Sequence, residues 1–118
     1  MRRLILLRHG QTGYNATRRM QGQLDTELSD LGRKQAAAVA DAMAALNPFA
    51  VVSSDLRRAY DTAVAVADRA GLPVEIDARL RETHLGQWQG LTHSDVDAIG
   101  PGARSAWRAD ATWAPPEG

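Results

Sequence analysis

Three short apolar runs alternate with two amphipathic helical stretches before residue 77, and few architectures accept that order. Residues 3–7 (RLILL) form a continuous apolar run cut off by polar, glycine-containing sequence, the pattern of a strand buried on both faces. Residues 8–27 show no periodicity and hold Gly10, Gly13 and Gly22 among polar residues, which reads as a long loop. Loops of that length in a compact domain usually carry function. Ser29 is then placed to cap a helix, with Asp30 in its first turn, and Ala36, Val39, Ala40, Met43 and Leu46 recur at helical spacing. Residues 49–52 (FAVV) are a second predicted strand. Ser53, Ser54 and Asp55 offer cap chemistry to a second helix, whose apolar face runs from Leu56 to Ala70 before Gly71 stops it. Residues 72–76 complete the set as a third strand. Residues 78–90 read as irregular, Thr92 as the cap of a short helix through Ile99, and the chain from Gly100 onward as aperiodic.

Strands alternating with helices predict an α/β fold with a mainly parallel sheet flanked by helices, the whole of residues 1–118 forming one domain. The composition narrows the function. Fourteen basic residues balance fourteen acidic ones, which argues against broad binding to nucleic acid or to an anionic membrane, so any anion site must be a local cluster. There is no cysteine, which excludes disulfides, thiolate metal sites and thiol catalysis. The longest apolar run, residues 4–7, is too short for a bilayer span or the core of a signal peptide, and a cytoplasmic location is the default expectation.

In a parallel sheet, ligands bind beyond the carboxyl ends of strands. That rule selects Arg8-His9-Gly10, then residues 53–58, then the region of Glu82. Arginine presents a planar fork of donors that matches phosphate oxygens, and an adjacent histidine can act as base or nucleophile. Thr12 adds a hydroxyl. Taken alone, an Arg-His-Gly triplet is more simply a surface charge and a loop histidine. Arg57 and Arg58 lie in the first turn of a helix that follows a strand, where anions bind. Arg58 lies nearer the apolar face and is the better pocket residue, with Arg57 left as a solvated charge. Glu82 could serve as a proton donor, but on local grounds it is an ordinary glutamate paired with Arg79 or Arg81. His84 and His93 fit no metal-ligand spacing, and Trp88, Trp107 and Trp113, without a basic stripe, read as packing residues.

Together these motifs resemble the histidine phosphatase, or phosphoglycerate mutase-like, superfamily. The resemblance is carried by LRHGQT at residues 7–12, Asn15, RMQG at 19–22, LSDLG at 28–32, SSDLRRA at 53–59, LRE at 80–82 and GQWQG at 86–90. It implies a three-layer α/β/α fold and a phosphatase. His9 would become a phosphohistidine. Arg8 and Arg58 would clamp the phosphoryl oxygens, and Glu82 would protonate the leaving alkoxide and later accept a proton from water. Thr12, Asn15, Gln21 and Gly22 would complete the phosphate pocket, while Ser29 and Gly32 would start a helix and Arg19 would hold the loop. Arginines can stand in for a metal here, so neither a metal nor another cofactor is expected. The implied partner is a small phosphorylated metabolite, and the wording of QGQLDTEL, RETHLGQWQGLTH and the tail is most similar to a branch acting on a glucosylated phosphoglycerate. A homodimer stays open.

Removing either Arg8 or Arg58 should cost at least about a hundredfold, since one preorganised donor aimed at developing charge contributes about 3 kcal/mol. Two other readings compete. A mutase would return the phosphoryl group to its substrate, but mutases of this family carry a longer lid after the glutamate, where this chain has THLGQWQG. A non-catalytic phospho-ligand module would need neither nucleophile nor proton donor. Two departures, Tyr14 and Glu27, leave the catalytic set untouched. A third is larger: the family's second catalytic histidine falls beyond residue 118. The expectation is an N-terminal part of a longer family member, poorly stable and nearly inactive by itself.

Overall fold

The computed structural model describes residues 3–110, 112–116 and 118. Its centre is a β–α–β unit. Strand β1 (Val51–Ser53) runs parallel to β2 (Val74–Ile76), in the register Val51–Val74, Val52–Glu75 and Ser53–Ile76. Parallel strands need a crossover, and helix α3 (Arg57–Ala70) supplies it. Helix α2 (Asp30–Ala44) precedes the unit and packs along α3. The buried positions of α2 are Gly32, Ala36 and Ala40, one turn apart, and at Gly32 a Cβ would collide with the Gln11 backbone of the preceding loop.

The helix ends follow local chemistry. The Ser29 hydroxyl accepts from the Gly32 N–H at 3.1 Å, and Asp30 lies in the favourable first turn of α2. Helix α3 stops at Gly71, whose left-handed φ of 70° suits a residue without Cβ. Its start departs from expectation. Ser53, Ser54 and Asp55 do not cap it. Leu56 is the N-cap residue and makes no side-chain cap bond, while the Arg57 N–H donates to Asp25 Oδ1 at 2.7 Å. A carboxylate from the preceding loop thus performs the cap, binding loop to helix.

The loop at residues 8–27 is also more ordered than aperiodic sequence implies. It contains a one-turn helix, α1 (Gly13–Ala16), closed by a reciprocal cap in which Thr12 and Asn15 satisfy each other's backbone N–H groups. Two further helices follow β2: α4 (His93–Ile99), capped by Thr92 as expected, and α5 (Ala103–Ala109), which the aperiodic tail did not reveal. Residues 78–90 hold two short 3₁₀ turns, Ala78–Leu80 and Gly86–Trp88. Met20, Leu85, Trp88 and Val96 form a core under these turns. Trp88 meets Trp107 edge to face at 5.9 Å and Trp113 at 5.5 Å, so the tryptophans pack against one another.

Residues 3–7 do not form the predicted strand. Leu4 and Leu6 are 85% and 86% exposed. Ile5, Leu6 and Leu7 border a groove of about 350 Å³ whose other walls include Met43, Val51 and Val66. An apolar run specifies burial, but a strand also needs a neighbouring backbone to complete its ladder. Among the described residues β1 bonds to β2 alone. No helix is long and apolar enough to cross a membrane among these residues.

Candidate active site

The histidine of the first motif is held by its own backbone. His9 Nδ1 lies 2.6 Å from the Gly10 carbonyl oxygen. A carbonyl can only accept, so Nδ1 carries a proton, and in the neutral ring Nε2 therefore keeps its lone pair. Burial of the half-buried ring lowers the His9 pKa below the ordinary 6.5. The Gly10 hydrogen bond opposes that shift, Arg58 and Arg8 reinforce it, and Glu82 opposes it weakly. An imidazole with a free Nε2 at neutral pH is thereby set among cationic groups.

Two links hold His9 against α3. The Gly10 N–H donates to Thr62 Oγ1 at 3.1 Å, and that hydroxyl donates to the Arg58 carbonyl at 2.8 Å. Gly10 is glycine because its Cα meets the start of α2: a Cβ there would collide with the Gly32 carbonyl. The close approach is thus to the first turn of a helix.

Arg58 is 2% exposed, and both terminal nitrogens of its guanidinium are engaged. Nη1 donates to the Leu24 carbonyl at 2.7 Å, and Nη2 donates to the Gly22 carbonyl at 2.6 Å and to Glu82 Oε2 at 3.0 Å. Glu82 is therefore not paired with Arg79 or Arg81. Arg79 binds Asp77, and Arg81 makes a two-pronged pair with Asp55 at 2.7 and 2.5 Å. Two ion pairs of opposite sense, Asp55–Arg81 and Arg58–Glu82, thus join the same two segments. Arg57, one residue away, turns outward to Asp25 and Glu27.

A cleft of about 590 Å³ opens beside these groups. Arg8, His9, Asn15, Gln21 and Glu82 line it. Thr12, Gly22 and Arg58 are not among its lining residues; Arg58 lies behind the wall, in contact with it through Glu82. Thr12 is fully buried, and its hydroxyl donates to Gln21 Oε1 at 2.7 Å and lies 3.2 Å from Asn15 Oδ1. The Thr26 hydroxyl also donates to Gln21 Oε1, at 2.5 Å. With both amide oxygens satisfied inside the loop, the NH₂ groups of Asn15 and Gln21 are what remains to face the cleft, and these are donors suited to anionic oxygens. Thr12 acts behind the wall, orienting both amides, and Gly22 acts through its carbonyl on Arg58. Arg19 also serves the loop, donating to the Gly90 carbonyl at 2.8 Å.

Sequence reasoning missed part of this wall. Gln11, Arg18, His93, Trp107 and Arg108 line the same cleft. Arg108 lies on α5, a helix without a legible period, and His93 opens α4 with no metal-ligand spacing to mark it. His84 is structural: its Nδ1 accepts from the Gly86 N–H at 3.1 Å. Among the described residues no group of three or more histidines and carboxylates could hold a metal ion. What the arrangement can do is bind a polyoxygen anion against a neutral imidazole, with a carboxyl group in reach of the same arginine.

Residues 4–118 match the histidine phosphatase superfamily (branch 1). The chain is 70% identical over 115 residues to a glucosyl-3-phosphoglycerate phosphatase of Mycolicibacterium vanbaalenii, covering 98% of this chain and 51% of that protein. It is 68% identical over 114 residues to the protein of the same name in Mycobacterium tuberculosis, again covering 51% of its length. A solved mycobacterial glucosyl-3-phosphoglycerate phosphatase in complex with VO3 superposes with a TM-score of 0.89 at 67% identity, over 91% of this chain and 51% of that one. The chain thus spans about half the length of the curated relatives it matches.

Proposed function

Since the chain belongs to branch 1 of the histidine phosphatase superfamily, we propose that its protein hydrolyses a small phosphorylated metabolite through a phosphohistidine on His9. The observation that carries the reading is the His9–Gly10 hydrogen bond, which fixes the ring tautomer and leaves Nε2 to attack within a cleft shared with Arg8 and Glu82. In the first step Nε2 forms a bond to phosphorus, the phosphorus–alkoxide bond breaks, and the Glu82 carboxylic acid gives its proton to the departing oxygen. In the second, water attacks the phosphohistidine, its proton passes to the Glu82 carboxylate, and the nitrogen–phosphorus bond breaks to release inorganic phosphate. Arg8, Arg58 and the amides of Asn15 and Gln21 hold the phosphoryl oxygens, so the transition state is stabilised by groups already in place. The Arg58–Glu82 pair is the contact that a bound phosphoryl group would compete with, and breaking it frees the carboxyl group for its proton.

The likeness to glucosyl-3-phosphoglycerate phosphatases supports glucosyl-3-phosphoglycerate as the substrate. The test is phosphate release from that ester by the full-length protein, run beside 3-phosphoglycerate with full mass balance. Stoichiometric phosphate supports the phosphatase. An isomeric phosphoglycerate without free phosphate supports a mutase, and binding without turnover leaves a non-catalytic module.

A further inference from the structure

The segment that carries Glu82 is firmly tied at its start and loosely beyond it. The Asp77 N–H donates to the Ser53 carbonyl at 2.8 Å, which fixes the start to β1. The Leu80 and Arg81 N–H groups then close a 3₁₀ turn on the carbonyls of Asp77 and Ala78. Past Arg81 the ties thin out. Among the described residues the main-chain N–H groups of Glu82, Thr83 and His84 have no hydrogen-bond acceptor, and the Glu82 carbonyl accepts one long bond, from the Gln23 side chain at 3.3 Å. The half-exposed Glu82 carboxylate is held by Arg58, at 3.0 Å.

That last contact is the one a phosphoryl group on Arg58 would break, and the proposed proton transfer needs Glu82 to stay in place afterwards. A second pair survives the exchange. Arg81 Nε and Nη2 donate to the two Asp55 oxygens at 2.7 and 2.5 Å, and a two-pronged bond fixes orientation as well as distance. The order of charges adds register. Along the start of α3, Asp55 precedes Arg58; along the facing segment, Arg81 precedes Glu82. A slip of one residue would set Asp55 against Glu82, or Arg58 against Arg81, and like charges repel. Arg57, which lies between Asp55 and Arg58 in sequence, is turned away to Asp25 and Glu27.

We propose that Asp55 and Arg81 are positioning residues: their ion pair holds the Glu82 main chain against the start of α3 while a phosphoryl group occupies Arg58, keeping the carboxyl group in reach of the departing oxygen. This rests on the phosphatase reading and deepens it. Neither residue lines the cleft, so their influence on the reaction passes through Glu82. Both side chains stand partly in solvent, where an ion pair adds little to stability, and its use here is geometric. Geometry is what proton transfer demands, since the donor must lie within hydrogen-bond reach, and a misplacement of about 1 Å can cost about a hundredfold.

The test uses two leaving groups. An alkoxide needs a proton as it departs, whereas p-nitrophenolate is stabilised by its ring and leaves without one. The full-length protein is assayed as wild type, Asp55→Asn, Arg81→Gln and the double variant, on glucosyl-3-phosphoglycerate and on p-nitrophenyl phosphate. The readout is kcat/KM, which reports the steps up to the phosphohistidine. Each variant is expected to lose about tenfold or more on the glucosyl ester and to stay within about twofold on the nitrophenyl ester. The double variant should be no worse than either single one, because each already removes the same pair. Equal losses on both esters, or no loss on either, overturn the proposal. If wild type releases phosphate from neither ester, the phosphatase reading is what fails. The anchor is then decided by hydrogen exchange at the Leu80 and Arg81 N–H groups, with Glu82→Ala set beside Glu82→Ala/Arg81→Gln. Exchange about tenfold faster in the second upholds it, and equal rates overturn it.

Discussion

The two ends of the cleft are built differently. At the His9 end every functional group but the exposed Arg8 has an internal partner: His9 its Gly10 carbonyl, Arg58 two loop carbonyls and Glu82, Asn15 and Gln21 the Thr12 hydroxyl. At the other end Arg18 and Arg108 hold their charge without a carboxylate partner among the described residues. Orientation is fixed in advance where bonds would be made and broken, because donors already aimed at developing charge need no reorganisation.

That contrast can be broken from the tied end. Arg58→Ala should lower kcat by about a hundredfold or more and destabilise the fold by about 1–3 kcal/mol, since the Leu24 and Gly22 carbonyls lose their donor. Steady-state kinetics and a thermal scan read the two effects; a loss in stability alone would make Arg58 a purely structural residue. Next comes the ionisation of His9. Its midpoint in a ligand-free NMR titration should lie below 6.5, with Nε2 unprotonated above that midpoint and blocked below it. A midpoint above 6.5 would mean that the Gly10 hydrogen bond, with Glu82, outweighs burial and the two arginines. Thr62→Val keeps the shape but leaves the buried Gly10 N–H unpartnered. It should destabilise by about 1 kcal/mol or more and lower kcat several-fold by loosening His9 from α3. Arg57→Ala is the smallest change. Its partners Asp25 and Glu27 are exposed, and the Asp25 cap uses the main-chain N–H, which the variant retains. Activity should stay within about twofold, and a tenfold loss would place Arg57 in the cleft.

What the sequence disclosed followed what is local. Ser29, Gly71 and Thr92 set helix boundaries through bonds within a few residues, and all three act as their residue types imply. That Arg58 is buried and Arg57 exposed was legible because helical period separates a buried face from an exposed one. Residues 3–7 show the limit, since burial is encoded in the run itself but strand formation depends on a partner elsewhere. The same limit hid Asp25 as the cap of α3 and Asp55 as the partner of Arg81, pairs separated by 32 and 26 residues. Arg18 and Arg108 escaped notice because nothing local marks a solvated arginine as facing a cleft. Thr12 and Gly22 lie in the expected motif, yet one orients amides and the other accepts from Arg58, a distinction only packing reveals.

The central claim is that His9 Nε2 takes the phosphoryl group. Rapid quench of the full-length protein turning over a radiolabelled phosphomonoester tests it most directly. A base-stable, acid-labile label on the His9 peptide, linked through Nε2 and absent from His9→Ala along with turnover, is the predicted result. Steady phosphate release by His9→Ala, or a label resting on another residue, would contradict it.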